Sequence, residues 1–377
     1  MRALIFLLSL LGSAFAIAQA MPAPAVAARA WLLIDHSSGQ SLAEHEADAR
    51  IEPAALTKLM TAYLAFAALK QGTLKADQVV PVSEKAWKAP GARMFIEPKQ
   101  PVSVDELLRG MVVQSGNDAG MALAEAVAGD EAAFVQRMNL EARRLGLADT
   151  HYTNAAGLPD AQHYSTARDL ARLVQALIRD FPEYYRIYAQ REFTYNKITQ
   201  PNRNRLLWLD PTVDGVGTAH AENAGFCLIA SGKRGPRRLI AIVIGADSDA
   251  LRAQEAQRLL NHGFQNFEPV RLYGKAQPIS QLRVFKGGSG TVPAGFLDDF
   301  ILSLPKGMID RMKVQLHSQQ PLLAPVQQGQ QVATLKLYLG TDGEMRPFGE
   351  YPVVALETVP VAGMFGRAWD TIMLWFQ

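Results

Sequence analysis

Two long apolar runs set the tightest limit on how this chain folds. AGFCLIASG (224–232) and RRLIAIVIGA (237–246) are separated by the turn KRGP and read as two neighbouring strands. A helix is predicted after them, around 249–262. Near the other end, AWLLIDHSSGQSLAEHEA (30–47) has an apolar run, the turn-rich HSSG and a second short run, which predicts a β-hairpin at 30–44. The stretch between is mostly helical. Ser103 with Glu106 forms a capping box, Asp130 precedes EAAFVQRMNLEARRLG, and Thr166 with Asp169 opens LARLVQALI. Strands at both ends of a helical middle predict an antiparallel sheet closed by helices, an α+β arrangement.

From about residue 267 the texture changes to short alternating runs such as QLRVFKGG, DDFILSLP and QVATLKLYLG, separated by turns, which predict a separate all-β domain. At 377 residues the chain is long enough for two cores. The 38 basic and 36 acidic residues nearly balance, and no basic stripe with interleaved aromatics occurs, so nucleic acid is excluded as a partner. MRALIFLLSLLGSAFAIAQA has one Arg, an apolar run and a small-residue exit, the pattern of a secretory signal. The closing AGMFGRAWDTIMLWFQ places Met364, Phe365, Ala368, Trp369, Ile372, Met373 and Phe376 on one helical face. That face predicts a helix lying on a membrane surface. The expected organisation is a signal at 1–20, a first domain at 21–265, an all-β domain at 266–359 and an amphipathic helix at 360–377. Cys227, the one cysteine, reads as a packed structural thiol.

In IEPAALTKLMTAY (51–63), Leu56, Leu59, Met60, Tyr63 and, further on, Leu64 and Ala67 recur at helical spacing, predicting a central helix buried along one side. Ala55 and Lys58, three residues apart, are then neighbours on one face. Two further stretches stand out: QSGNDAG (114–120), with Ser115 and Asn117, and DGVGTAHA (214–221), with Gly217, Thr218 and Ala219, just before the first late strand.

The order of these stretches resembles the serine D-alanyl-D-alanine carboxypeptidases, the low-molecular-mass penicillin-binding proteins. The likeness runs over essentially the whole chain and includes VSVDELLRGMVVQSGNDA, YSTARDLARLVQALIRDFPEYY and NRNRLLW. It implies a β-lactamase/DD-peptidase-like domain (antiparallel sheet with a helical cluster) followed by an all-β domain and the amphipathic helix. It also implies an exported, periplasmic protein peripheral on the inner membrane, acting on peptidoglycan stem peptides. In the family pattern a Ser-x-x-Lys motif supplies nucleophile and base, a Ser-x-Asn motif relays a proton and orients the substrate, and a Lys-Thr-Gly motif on the edge strand holds the substrate's terminal carboxylate. Lys58 matches the base; Ser115 and Asn117 match the second motif.

The departures fall on the chemistry. Ala55 occupies the nucleophile position and has no oxygen; Gly217 occupies the strand-lysine position; Ala219 replaces the glycine, and Ala221 stands where many members have threonine. Thr57 is read as pointing away from the Ala55–Lys58 face, and the Thr-x-x-Lys spacing of TYNK (194–197) as accidental. Loss of a serine nucleophile costs on the order of 10⁴ to 10⁶ in rate, and loss of a charged bond to a carboxylate about ten- to a hundredfold in affinity. The Ala219 methyl is expected to push a strand-like substrate off the sheet edge. The expectation is therefore a chain that is not an enzyme as written, an inactive carboxypeptidase-like protein of the cell wall with weakened binding of D-Ala-D-Ala peptides and β-lactams. The alternative is an active carboxypeptidase with a non-standard nucleophile or a water held by Lys58. A β-lactamase is disfavoured by the second domain and the tail. His151, His163 and His220 lack metal-ligand spacing, so neither metal nor cofactor is expected. Arg252, placed just after the last strand, suits a carboxylate or a surface salt bridge equally.

Overall fold

The computed structural model describes residues 24–341 and 343–363. The expected signal at 1–20 and most of the expected helix at 360–377 lie outside the described residues. In the first domain, strands β1 (Ala30–Asp35), β2 (Ser41–His45), β3 (Val213–Ala221), β4 (Gly225–Arg234) and β5 (Arg237–Ala246) form one sheet in the order β2-β1-β5-β4-β3. All neighbours are antiparallel. The apolar runs that predicted β4 and β5 become its centre, and β3, which carries Gly217, Thr218 and Ala219, becomes an edge.

The two-residue period of β1 and β5 divides the core. Leu32, Ile34, Ile240, Ile242 and Ile244 face the helical cluster. Trp31, Leu33, Leu239, Ala241 and Val243 face the other way, onto a helix that supplies Ala256, Leu259 and Leu260. The longer helices are α1 (Lys58–Gln71), α2 (Val104–Gln114), α3 (Asn117–Ala128), α4 (Glu131–Arg144), α5 (Ala167–Asp180) and α6 (Asp249–Asn266), the last being the one on the second face. Their starts follow the caps read from sequence: Ser103 and Glu106 make a complete capping box on α2, and the side chains of Asp130 and Thr166 accept from Ala133 N and Asp169 N.

The central helix differs from expectation in two respects. Ala55 lies in a short 3₁₀ turn, Ala54–Thr57, and α1 begins only at Lys58. The helix is buried on nearly every side, not along one stripe: Lys58, Thr61, Ala62 and Ala65 are buried along with Leu59, Met60 and Tyr63. Periodicity missed this because the polar members find distant partners. Thr61 Oγ1 donates to Ala155 O (2.7 Å), and Thr57 Oγ1 pairs with His163 Nε2 (2.8 Å). A buried polar side chain with such a bond carries no penalty that would force it outward.

The second domain starts where α6 ends. Strands Phe267–Tyr273 and Phe300–Pro305 pair, and a six-stranded sheet completes the domain around Leu282, Val292, Leu335 and Val353. The two domains share a buried polar knot. Arg237, on β5, pairs with Asp35 (3.0 Å) and donates to Phe267 O and Ser303 Oγ, while Ser303 Oγ donates to Asp35 (2.6 Å). Asp35 is 1 % and Arg237 7 % exposed.

Candidate active site

The 3₁₀ turn, the α2–α3 corner and the edge strand β3 meet at one cleft. Its main part, about 400 Å³, is lined by Ala55, Lys58, Ser115, Asn117, Thr218 and Ala219, among others. A smaller pocket that shares part of its lining touches Ala55, Lys58, Ser115, Gly217 and Thr218. All seven residues singled out in sequence are therefore brought together, from segments about sixty and about a hundred residues apart.

Lys58 sits on the first turn of α1 with its ammonium buried. Its Nζ donates to Ala156 O at 2.8 Å. Burial pushes its pKa down from 10.5 to about 7; Arg203 pushes the same way and Asp118 opposes. A lysine so placed has a large neutral fraction near neutral pH and can accept a proton. Ala55, half-buried, presents a methyl beside it.

Ser115 ends α2 in the left-handed conformation (φ 65°), which turns the chain sharply into α3. Among the described residues its hydroxyl has no protein partner, so it is available to a ligand in the cleft. Asn117 is held at both ends of its own residue: Nδ2 donates to Pro90 O (2.6 Å) and its backbone N to Ala92 O (2.7 Å). Asp118, fully buried, accepts from the backbone N–H groups of Met94, Phe95 and Ile96 and locks that loop against α3.

On β3, Thr218 is 9 % exposed and its hydroxyl likewise lacks a partner among the described residues. A Cβ built on Gly217 would meet nothing closer than Leu56 Cδ2 at 4.0 Å, so the strand has room for the side chain it lacks. The expectation for Ala219 needs correction. Its residue is 3 % exposed and belongs to the hydrophobic core, so the methyl stands mostly in packing contact and not across the path of a substrate.

Arg252 also differs from expectation. It lies inside α6, 7 % exposed, and its Nη1 donates to Ala219 O (2.8 Å) and Cys227 O (3.1 Å) while Nη2 pairs with Asp249. It is a buried brace on the end of β3 that also lines the cleft. The cation that sequence reasoning missed is Arg203. It is exposed and lines both parts of the cleft, and Nε donates to Gln114 O (3.1 Å). No carboxylate pairs with it among the described residues. The signal was present in NRNRLLW, but an arginine in an irregular segment has no periodicity to betray which way it faces. Thr57 is committed to His163, whose pKa burial lowers to about 4, so both are structural. Cys227 is buried and its thiol pKa is pushed up by burial. No cluster of metal-binding side chains occurs among the described residues.

Comparison with known proteins accounts for both domains. Residues 17–248 match the family model described as D-alanyl-D-alanine carboxypeptidase, and 267–361 match that of the penicillin-binding protein 5 C-terminal domain. The chain is 41 % identical to D-alanyl-D-alanine carboxypeptidase DacC of Escherichia coli, over 99 % of this chain and 94 % of that protein. It is 39 % identical to DacA of the same organism, over 94 % and 89 %. The crystal structure of penicillin-binding protein 5 from Haemophilus influenzae superposes with a TM-score of 0.83 at 37 % identity, over 90 % of this chain and 99 % of that one. These matches overturn the expectation, drawn from Ala55 and Gly217, that the chain is not an enzyme: relatives alike over nearly its whole length are named for the activity. What Ala55 removes is one hydroxyl from a cleft that keeps Lys58, Ser115, Asn117 and Thr218 in place. The chain belongs to the D-alanyl-D-alanine carboxypeptidase family of the cell wall, with a peptidase domain followed by an all-β domain.

Proposed function

We propose that the chain removes the terminal D-alanine from peptidoglycan stem peptides ending in D-Ala-D-Ala, with water in the place of the serine hydroxyl. The observation that carries this reading is Lys58, a buried amine with a pKa of about 7 facing the gap left at Ala55. The neutral amine takes a proton from water as the water oxygen adds to the carbonyl carbon of the penultimate residue. The C–N bond then breaks, the proton passes to the leaving amine directly or through Ser115, and D-alanine departs, leaving a carboxylate on the shortened stem. Asn117 holds the peptide amide. Thr218 and Arg203 take the terminal carboxylate, Arg203 supplying the charge that Gly217 does not.

Hydrolysis by this route is slow. Serine hydrolases stripped of their triad retain roughly 10³- to 10⁴-fold acceleration over water through binding and polarisation, and that is the scale expected here. The leader-like first twenty residues and the apolar face of the last sixteen support an exported protein held at the membrane surface. The test is mass-spectrometric detection of D-alanine from a peptide ending in D-Ala-D-Ala, with an L-Ala-L-Ala end as control. Release from the first alone supports the reading, and release from neither overturns it.

A further inference from the structure

The loop that steadies Asn117 also builds an exposed aromatic rim. Trp87 closes a short helix and is 36 % exposed; Phe95 is 43 % exposed. Arg93 joins them. Its guanidinium donates to Trp87 O and stands over the Phe95 ring at 5.8 Å, and its backbone O accepts from Gln200 Nε2, on the hairpin whose Ile198 is 40 % exposed. A second cation, Lys88 Nζ, lies 5.8 Å from the Trp87 ring centroid.

Phe95 has φ 69°. A bulky residue is disfavoured in this left-handed region, and such strain persists where the surroundings over-determine it, often at ligand clamps. Here the determinant is visible: the Asp118 carboxylate takes the N–H groups of three consecutive residues with Phe95 in the middle. The same loop supplies Pro90 O and Ala92 O to Asn117, and Gly91 and Ala92 line the cleft. The rim is thus rigidly continuous with the catalytic cleft on its Asn117 side. Phe95 is three residues from Ala92, so the two are at most about 11 Å apart along the chain.

We propose that the rim of Trp87, Arg93 and Phe95 binds the N-acetylated sugar chain from which the stem peptide hangs. The inference rests on the stem-peptide reading. A peptide whose terminal carboxylate lies at Thr218 and whose amide meets Asn117 leaves the cleft on the Asn117 side, and a stem of a few residues spans roughly 3.4 Å for each. Its sugar attachment therefore falls within reach of the rim. Exposed aromatic rings offer flat apolar faces to the C–H faces of pyranose rings, while Arg93 and Lys88 offer N–H donors to the sugar's acetamido and hydroxyl oxygens.

The test is calorimetric titration of the full chain with a β-1,4-linked N-acetylglucosamine hexamer. Binding is expected, weakened roughly tenfold or more in Trp87→Ala and in Phe95→Gly. Glycine relaxes the left-handed backbone, so Phe95→Gly should keep or raise the melting temperature, which separates lost binding from unfolding. D-alanine release from a free peptide should be unchanged in both variants. No binding by the parent at millimolar hexamer, equal binding by both variants, or binding of the rim to lipid vesicles in place of the sugar overturns the proposal. Because the titration needs no turnover, failure of the hydrolytic reading shows separately, as absent D-alanine release with the sugar still bound.

Discussion

Replacing Lys58 with methionine should make the protein more stable at pH 6, and the advantage should shrink as the pH rises. Burial lowers the lysine pKa from 10.5 to about 7. At about 1.4 kcal/mol per unit, placing this lysine in the fold costs on the order of 5 kcal/mol below pH 7. The sign follows from proton counting. Below about pH 7 folded and unfolded chains both carry the proton, and the full burial cost is borne by the folded state. Between pH 7 and 10.5 the unfolded chain binds a proton that the folded chain does not, so stability rises with pH by about 1.4 kcal/mol per unit. Above 10.5 the cost is gone. Methionine has a similar length and no charge, but leaves Ala156 O without its 2.8 Å donor, a loss of about 1–3 kcal/mol. The net gain of Lys58→Met at pH 6 is therefore a few kcal/mol, and it should narrow by about 2–3 kcal/mol between pH 7 and pH 9. Urea unfolding of parent and variant at pH 6, 7.5 and 9 reads this directly. Parallel pH dependences, or a variant less stable at pH 6, would refute the claim that the cleft holds a desolvated, easily neutralised amine.

Further predictions concern the missing groups and the domain junction. Ala55→Ser restores a hydroxyl one turn before Lys58 and should produce a covalent adduct with a fluorescent penicillin, visible on a denaturing gel, together with faster D-alanine release; absence of label would mean the cleft is not poised for acylation. Gly217→Lys has open space for its side chain. It should tighten binding of a D-Ala-D-Ala peptide by about tenfold, the lower end of the range for a charged bond, because the proposed reading already gives Arg203 to the carboxylate; calorimetry would show it, and a larger gain would mean Arg203 contributes little. Arg237→Met leaves Asp35 buried and unpaired, and should lower stability by about 3–5 kcal/mol in denaturant unfolding.

Much of the site was legible because the order of its motifs resembles that of a known family, and the structure places those motifs at element ends. Ser115 is a helix C-terminus in the left-handed conformation, Asn117 opens the next helix, and Thr218 lies on an edge strand that follows from the apolar pairing of its neighbours. The capping residues Ser103, Asp130 and Thr166 were legible without that resemblance, because residue type and local geometry are tightly coupled at helix starts. What escaped depends on partners far away in sequence. Thr57 and Thr61 are buried because His163 and Ala155 O meet them from about a hundred residues on, and the partner of the buried Lys58 ammonium, Ala156 O, comes from as far away. Arg252 is buried because two strand carbonyls, at Ala219 and Cys227, receive its guanidinium. Ala219 points into packing that only the assembled sheet and 3₁₀ turn create. The sequence reading of Ala55 weighed one missing atom against catalysis and discounted the cleft that survives around it.

The most direct test of the account is the pH dependence of D-alanine release by the unaltered chain and by Lys58→Met. Water attack assisted by the Lys58 amine predicts release above background that climbs as the pH rises through about 7, where the amine loses its proton. In Lys58→Met the release should be slower and its rise through pH 7 should disappear, leaving only what binding and polarisation supply. Release that is absent from the parent, or that continues undiminished in the variant, would contradict it.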